Sequence, residues 1–455
     1  MEYMQLSGVI HVHSTFSSGQ YSIGELVSRA EDKDLEVLII TDHDQVVMEY
    51  GLFPFRNLIK RREERQSVLL AGPENYLSEI ERLNRQQPSV LIIPGVQSSP
   101  FYHWTGTPFG QGLTAHNFRK EVLIVGMSDP DDYYNLPLLH GRASTRHLKD
   151  LLPGFLIFLA AFLLSIYLVF QKGKLGVCGI LVAIFSLAMM ADQHPFKSSR
   201  FDPYHGDQGQ APFQEAIDYA RSRGGMVFWA HPESNYSKNG VQMGPVKLMT
   251  AHYPEALIES ENYTGFAALY GDSITATKAG MQWDRALMQY CSGDRADPVW
   301  GIAGSDFHGG ENGVSLDTFQ TVFLVENRRQ KDVLQALEQG RMYAVAKAGG
   351  FRLSLDQFQI KDDKTDKRAI VGEELLIDRS PVVAGRLSAT DGGHYSVAVS
   401  IIRGGKPIWS FEGQTPLDFK FVDPVQWSGK TYYRLDASGK TAGQLLSNPI
   451  FVVRK

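Results

Sequence analysis

Seven short apolar runs in this chain end in polar residues, most of which can bind a metal, and this recurrence leaves few folds open to it. Val9-Ile10 leads into His11-Val12-His13, and Leu35 to Ile40 leads into Thr41-Asp42-His43-Asp44. Val90 to Ile93 leads into Pro94-Gly95-Val96-Gln97, and Val122 to Val125 ends near Gly126. Met226 to Trp229 leads into Ala230-His231-Pro232, and Ala256 to Ile258 into Glu259-Ser260-Glu261-Asn262. Trp300 to Ala303 leads into Gly304-Ser305-Asp306-Phe307-His308. Parallel strands buried on both faces read as continuous apolar runs. Polar groups gathered at the C-terminal ends of such strands are how α/β barrels build their sites. Imidazoles and carboxylates clustered there suit divalent transition metals.

A second feature interrupts this pattern. Leu151 to Phe170 is uncharged and almost wholly apolar, and it matches the roughly 20 residues that span a bilayer core. Gln171-Lys172-Gly173-Lys174 follows, and Leu175 to Ala191 is a second uncharged apolar run. Soluble helices keep a polar face, which these runs lack. The reading is therefore two transmembrane helices over residues 151–191, with both flanks on one side of a cell membrane. Arg142, Arg146, Lys149, Lys197 and Arg200 flank the pair, against Lys172 and Lys174 in the loop. That balance places the flanks, and the domain they belong to, on the cytoplasmic face. Met1 to Gly8 has neither the basic segment nor the apolar core of a signal peptide.

The rest of the chain reads as globular. A net charge of −5 gives no reason to expect a nucleic-acid partner. Cys178 and Cys291 imply no disulfide framework and leave the redox compartment open. Helical segments at Ile23 to Lys33, Asn75 to Gln86, Ala211 to Arg223 and Lys331 to Gln339 alternate with the apolar runs, and Thr321 to Val325 reads as a further strand. From Gly350 the pattern changes to seven short strand-like runs separated by turn signals, with Arg403-Gly404-Gly405-Lys406 suited to a hairpin. The expected organisation is an α/β barrel over residues 1–150 and 192–350, the helical hairpin over 151–191 inserted into it, and a β-sandwich over 351–455. Trp409, Trp427, Tyr432 and Tyr433 in the last part are expected to pack in its core or along its edges rather than to bind a glycan.

His11 and His13 stand two apart at a strand end, which suggests that both project to the same side. Together with TDHD at 41–44, AHP at 230–232 and GSDFH at 304–308, the HVHS motif at 11–14 resembles the PHP (polymerase and histidinol phosphatase) domain. The resemblance covers roughly residues 8–350 apart from the hairpin. It implies a distorted barrel of seven strands, mostly parallel, carrying up to three divalent metals. It implies that His11, His13, His43, His231, Asp306 and His308 are metal ligands and that Asp42 ligates or orients. His116, before the fourth strand, is the candidate for the family's middle histidine. Glu259 or Glu261 is a candidate carboxylate at the sixth strand.

Two positions depart from the family. Gln97 stands where a glutamate usually bridges two metals, and Ser18 stands where many members have aspartate. A neutral amide cannot offset two cations at close range. The count of ions expected therefore falls to one or two of a possible three, and the imidazole-rich set favours Zn²⁺, Mn²⁺ or Fe²⁺ over Mg²⁺. A bound cation acidifies its water, and Asp306 or His231 would handle protons. Arg142, Arg146, Lys247 and Arg341 are basic candidates for a phosphate contact, none of them assigned.

Three functions are compatible with this sequence. The first is a membrane-anchored metal-dependent phosphoesterase acting on a small phosphorylated substrate. The second is a hydrolase of the same fold acting on another ester or a carbamate. The third is a domain that binds metal or ligand without turnover, which Gln97 and Ser18 keep open.

Overall fold

The structure, a computed structural model, describes residues 3–454 apart from 87–88, 110–111, 273–274, 311–313, 363–366, 379 and 425–426. Seven of its strands close into a barrel: β1 (Met4–Val12), β2 (Val37–His43), β3 (Leu91–Ser98), β4 (Val122–Val125), β5 (Met226–Trp229), β6 (Gly265–Leu269) and β7 (Trp300–Phe307). Closure comes from the parallel pairing of the end of β1 with β7, where Ile10 faces Gly304 and Val12 faces Phe307. All neighbouring pairs are parallel except those made by β4, which runs antiparallel to both β3 and β5.

Two expectations change here. Ala256 to Ile258 is not a strand but part of a short helix, Ala256–Glu259, which follows Pro254. The sixth strand is Gly265–Leu269, whose Gly-Phe-Ala-Ala-Leu sequence has no β-branched residue to signal it. The reversal of β4 is the second change. Gly126 at its end lies away from the pocket mouth, and Glu121 just before its start takes the place that C-terminal residues hold on the other strands.

The helices follow local rules. Ile23–Glu31 starts at Ser22, whose hydroxyl accepts from the Glu25 N–H while the Glu25 carboxylate accepts from Ser22, a complete capping box. Its buried Ile23, Leu26, Val27 and Ala30 keep helical spacing against the barrel. Ala211–Ser222 ends as Gly224 turns to φ +77° and Gly225 N–H reaches back to the Ala220 carbonyl.

The barrel wall continues into the C-terminal region. The first half of β1 pairs antiparallel with Phe319–Val325, which leads through Met342–Ala346 and Gly443–Ser447 to Gly429–Gly439 and Ser396–Arg403. A second sheet of Arg368–Ile370, Leu353–Asp362, Pro381–Ala389 and Leu417–Val422 packs on it across a shared apolar core, giving the sandwich. Arg403 pairs with Lys406 across a turn whose Gly404 and Gly405 both have positive φ, as a two-residue hairpin of this type requires. Trp409 packs on Phe411 and Phe421, with ring centroids 4.2 and 4.5 Å apart. The two parts are joined by a fully buried ion pair. Arg434 Nε and Nη2 lie 2.7 and 2.9 Å from the two oxygens of Asp284, on the barrel helix Gln282–Ser292.

The insertion forms two helices, Leu148–Val169 and Lys174–Asp192, between β4 and the Ala211 helix. They pack chiefly on each other. At the turn end a Cβ on Gly179 would sit 2.6 Å from the Val169 nitrogen, so only glycine admits this approach. Leu156, Ile157, Leu163, Leu164, Leu181 and Ile184 are exposed. Both helices are long and apolar enough to cross a membrane, on length and composition alone.

Candidate metal centre

The ends of β1, β2, β5 and β7 converge on one cluster of imidazoles. The rings of His13 and His308 stack with centroids 4.1 Å apart, His13 and His43 are 4.7 Å apart, His11 and His13 5.3 Å, and His11 and His231 5.5 Å. The convergence of His11 and His13 does not come from simple strand alternation. Pairing shifts register between Ile10 and Val12, and His11 has φ +69°. His231 and Asp306 also have positive φ, at +25° and +47°. Non-glycine backbone of this kind costs free energy and collects where side chains must be aimed.

Asp306 sits at the centre. Its Oδ1 is 3.1 Å from His11 Nε2, 3.6 Å from His13 Nε2 and 3.1 Å from His308 Nε2. Two overlapping donor sets result, His11–His231–Asp306 and His13–Asp306–His308, each with its ligand atoms within 4.8 Å of one another. Ligand atoms around one tetrahedral ion at about 2.1 Å lie about 3.4 Å apart, so these spacings fit a cation. The buried Nε2 atoms of His11 and His13 make no hydrogen bond among the described residues, although Asp306 is beside both. Lone pairs left without hydrogen-bond partners around a carboxylate are what a divalent ion would satisfy.

Burial pushes His11 down to about 4 against the pull of Asp306, and burial with the nearby His308 pushes His13 to about 3. Burial also holds His43 well below the usual range. All three are neutral at pH 7, the form that binds metal. Desolvation would raise the Asp306 carboxyl, but His11, His13 and His308 hold it well below the ordinary range. His231 differs: burial acts to lower it, yet a bond to Glu121 raises it above the ordinary histidine value.

Around these groups lies a set of orienting contacts. Asp42 is buried and does not face the cluster as a free carboxylate. It accepts from Ser14 N–H at 2.8 Å, Ser14 Oγ at 2.6 Å and Ser17 Oγ at 2.5 Å, and Ser17 Oγ lies 3.3 Å from His13 Nδ1. Ser18 sits beside His308, Oγ to Nδ1 at 2.9 Å. Gln97 donates through Nε2 to Glu121 Oε2 at 2.8 Å, and its buried Oε1 has no hydrogen-bond partner among the described residues. Glu121 Oε2 is 3.2 Å from His231 Nε2. Glu121 was missed by the sequence reading because it precedes its strand. Only the reversal of β4 brings it to the mouth, and no residue pattern marks that reversal.

His116 is placed elsewhere. It lies on Gly112–His116, in a separate sheet outside the barrel, stacked on His103 at 4.9 Å with its Nε2 2.8 Å from Thr105 Oγ1. Glu259 and Glu261 precede β6 and so lie at the far end of the barrel, where they meet Gln210 and Gln214. Arg142 approaches Asp131, Arg146 bonds the Asn135 carbonyl, and Arg341 bonds Tyr3. Lys247 lies on Val246–Met249 of the outer sheet. A basic residue bordering the site is instead Arg119, which comes within 3.9 Å of Glu121 and whose charge acts on both His43 and His231.

Residues 10–144 match the PHP domain family. The chain carries a PHP domain. The matched segment ends before the hairpin, and closure of the barrel brings His231, Asp306 and His308 of the second half onto the PHP motifs of the first. Two solved structures are among the matches. A two-domain protein from Bacteroides vulgatus containing a predicted PHP-like metal-dependent phosphoesterase is 11% identical, covering 95% of this chain and 90% of its own, with a TM-score of 0.36. A candidate metal-dependent phosphoesterase from Bifidobacterium adolescentis is 15% identical, covering 66% of this chain and 87% of its own, with a TM-score of 0.30. Likeness at this level carries no residue-by-residue correspondence. Comparison with curated proteins gives no match.

Proposed function

We propose that the protein is a metal-dependent phosphoesterase held at a membrane by its helical hairpin, with the PHP site on the cytoplasmic side. The observation that carries this reading is the pair of donor sets sharing Asp306 at the barrel mouth. His11, His13, His43, His231, Asp306 and His308 would hold one or two divalent cations, with Zn²⁺, Mn²⁺ or Fe²⁺ suiting the imidazoles. A cation bound there supplies Lewis-acid polarisation of a phosphoryl oxygen and an acidified water. The chain's own groups do the rest. Arg119 neutralises a non-bridging phosphoryl oxygen. Asp42 holds Ser17, and through it the His13 ring, in place. Glu121 accepts the His231 Nε2 proton and so leaves the lone pair on Nδ1 for a ligand. Asp306 is the group placed to accept or return a proton, since both nitrogens of His231 are then engaged.

The decisive test compares metal-loaded and chelator-stripped protein on 4-nitrophenyl phosphate, 4-nitrophenyl acetate and a carbamate. Metal-dependent phosphate release is expected. Faster turnover of the acetate or carbamate would favour the other hydrolase reading, and bound metal without turnover would mark a non-catalytic domain.

Two substitutions probe the residues that the fold brings in. Arg119→Ala is expected to raise KM for phosphate esters roughly tenfold or more at unchanged metal content, since a charged hydrogen bond contributes about 1.5–3 kcal/mol. An unchanged KM would remove Arg119 from the substrate site. Glu121→Gln is expected to weaken metal binding about 10- to 100-fold, the usual effect of losing an orienting carboxylate. The reverse change, Gln97→Glu, places a second carboxylate beside Glu121 and is expected to raise bound metal. Elemental analysis after dialysis reads both, and equal stoichiometry in the two variants would show that neither position governs the ions.

A further inference from the structure

The metal centre borders a much larger space, which His43 lines together with Ser17, Ser18 and Glu121, the partners of its other imidazoles. A cavity of about 1150 Å³ begins at His43, Ser17, Ser18, Arg119 and Glu121 and extends between the outer sheet and the strand pair Val46–Gly51 and Lys60–Arg65. This exceeds the roughly 300–1,000 Å³ of pockets for drug-sized ligands, and a small phosphate ester would leave most of it empty. Away from the metal end most of the wall is apolar, with Met48, Trp104, Leu113, Val246 and Leu248 among the lining residues, and its edge takes in the charged strand Lys60–Arg65 through Lys60, Arg61, Glu63 and Arg65. A water-filled apolar arm is costly to keep, and an apolar group is its natural occupant.

The wall of this arm touches the hairpin. The turn between the two strands is fixed to the base of the second hairpin helix: Asn57 N–H donates to Asp192 Oδ1 at 2.6 Å and Asn57 Nδ2 to the Asp192 carbonyl at 2.8 Å. Phe55 packs on Phe185 of the same helix, ring centroids 5.8 Å apart. Beside these contacts, Phe53, Leu58 and Ile59 are exposed, and Ile59 also lines the cavity. With residues 151–191 in a bilayer, this apolar rim lies at its surface. We propose that the substrate is a phosphate ester of a long-chain alcohol, with its phosphate at the metal and Arg119 and its chain in the apolar arm, entering along the rim beside the hairpin. This rests on the phosphoesterase reading and adds the class of substrate.

The test uses the full chain in phosphatidylcholine nanodiscs, loaded with Mn²⁺. Phosphate release is measured from 4-nitrophenyl phosphate and from butyl, octyl and dodecyl phosphates. Binding of methylphosphonate and dodecylphosphonate, which cannot be hydrolysed, is measured alongside. Each methylene buried should raise kcat/KM or affinity roughly two- to fourfold until the arm is filled. Leu113 and Val246 face each other on paired strands. Leu113→Trp or Val246→Trp should flatten the dependence on chain length and leave 4-nitrophenyl phosphate turnover unchanged. Leu113→Asn, which adds no bulk, should weaken it and covers the case in which the tryptophan variants fold poorly. Chain-independent kcat/KM and equal affinity for the two phosphonates would overturn the proposal. So would chain-length dependence that all three variants leave intact, since it would then come from the lipid surface and not from the cavity. Absence of phosphate release from every ester would instead count against the phosphoesterase reading, while preference for dodecylphosphonate would still uphold the amphiphile site.

Discussion

Replacing Asp306 with alanine is expected to empty both metal positions at once and to abolish phosphate release. Its Oδ1 is the one acidic ligand atom common to the two donor sets, and it lies within 3.6 Å of three imidazoles. Without it each set keeps only two histidines and no carboxylate of its own to offset a divalent ion. His13→Ala removes a ligand from one set alone. It should therefore lower metal content without abolishing it, and the contrast between the two variants measures how much the shared carboxylate matters. The fold should survive both changes. Asp306 stands at the barrel mouth, outside the apolar core, and its loss leaves that core untouched. Its positive φ makes alanine less favourable there by about 1–2 kcal/mol. Asp306→Asn, which tolerates that conformation, separates backbone strain from lost charge. Elemental analysis, circular dichroism and thermal melting read the three effects. Native metal content in both Asp306 variants would exclude the assignment.

Much of this site can be read from the chain because its ligands sit in short motifs at the ends of apolar runs. The apolar runs before HVHS, TDHD, AHP and GSDFH read as buried strands, and the resemblance of the four motifs to the PHP domain implied their ligand roles in one barrel. What escaped reading depends on direction and on long-range pairing. Glu121 became part of the site because β4 runs backwards, and an isolated apolar run carries no information about its direction in a sheet. Arg119 follows from the same reversal. The sixth strand was misplaced because Ala-Leu-Ile-Glu and Gly-Phe-Ala-Ala-Leu are both short apolar runs, and only tertiary pairing chose the second. The outer sheet that carries His116 and walls the cavity joins strands more than a hundred residues apart, and its short, half-exposed strands leave a weak pattern. Gln97 and Ser18 stand out in the sequence only against the resemblance to the PHP domain, and what each one touches is visible only in the structure. Gln97 donates to the neighbouring acid Glu121, and Ser18 approaches His308 through its hydroxyl.

Exchange of residues 151–191 for a short Gly/Ser linker is expected to turn a membrane-bound protein into a soluble one that keeps its metal. The two helices pack chiefly on each other and expose apolar side chains along their length. Lipid tolerates such a surface, while in water a contiguous apolar patch of this kind promotes association. Their bases lie side by side, since a Cβ on Gly154 would come 3.5 Å from Gln193 Oε1, so a short linker can join the ends without moving the barrel. The polar contacts that fix the base remain in the shortened chain, while the packing of Phe55 on Phe185 is lost. Asp192 still accepts from Asn57, and His147 and Arg200 still reach Glu215. Sedimentation of membrane fractions and elemental analysis of the soluble variant read the outcome. Protease protection of the full chain in inside-out and right-side-out vesicles reads the side, with cleavage of the barrel expected from the cytoplasmic face. The variant also separates the two functions assigned to this region. Turnover of 4-nitrophenyl phosphate should persist, because none of its ligands lies in the hairpin. Turnover of a long-chain phosphate embedded in vesicles should fall, because the rim that delivers it no longer rests on the bilayer. A shortened chain that unfolds or loses its metal would mean that the hairpin is part of the globular core, and the membrane anchor would be excluded.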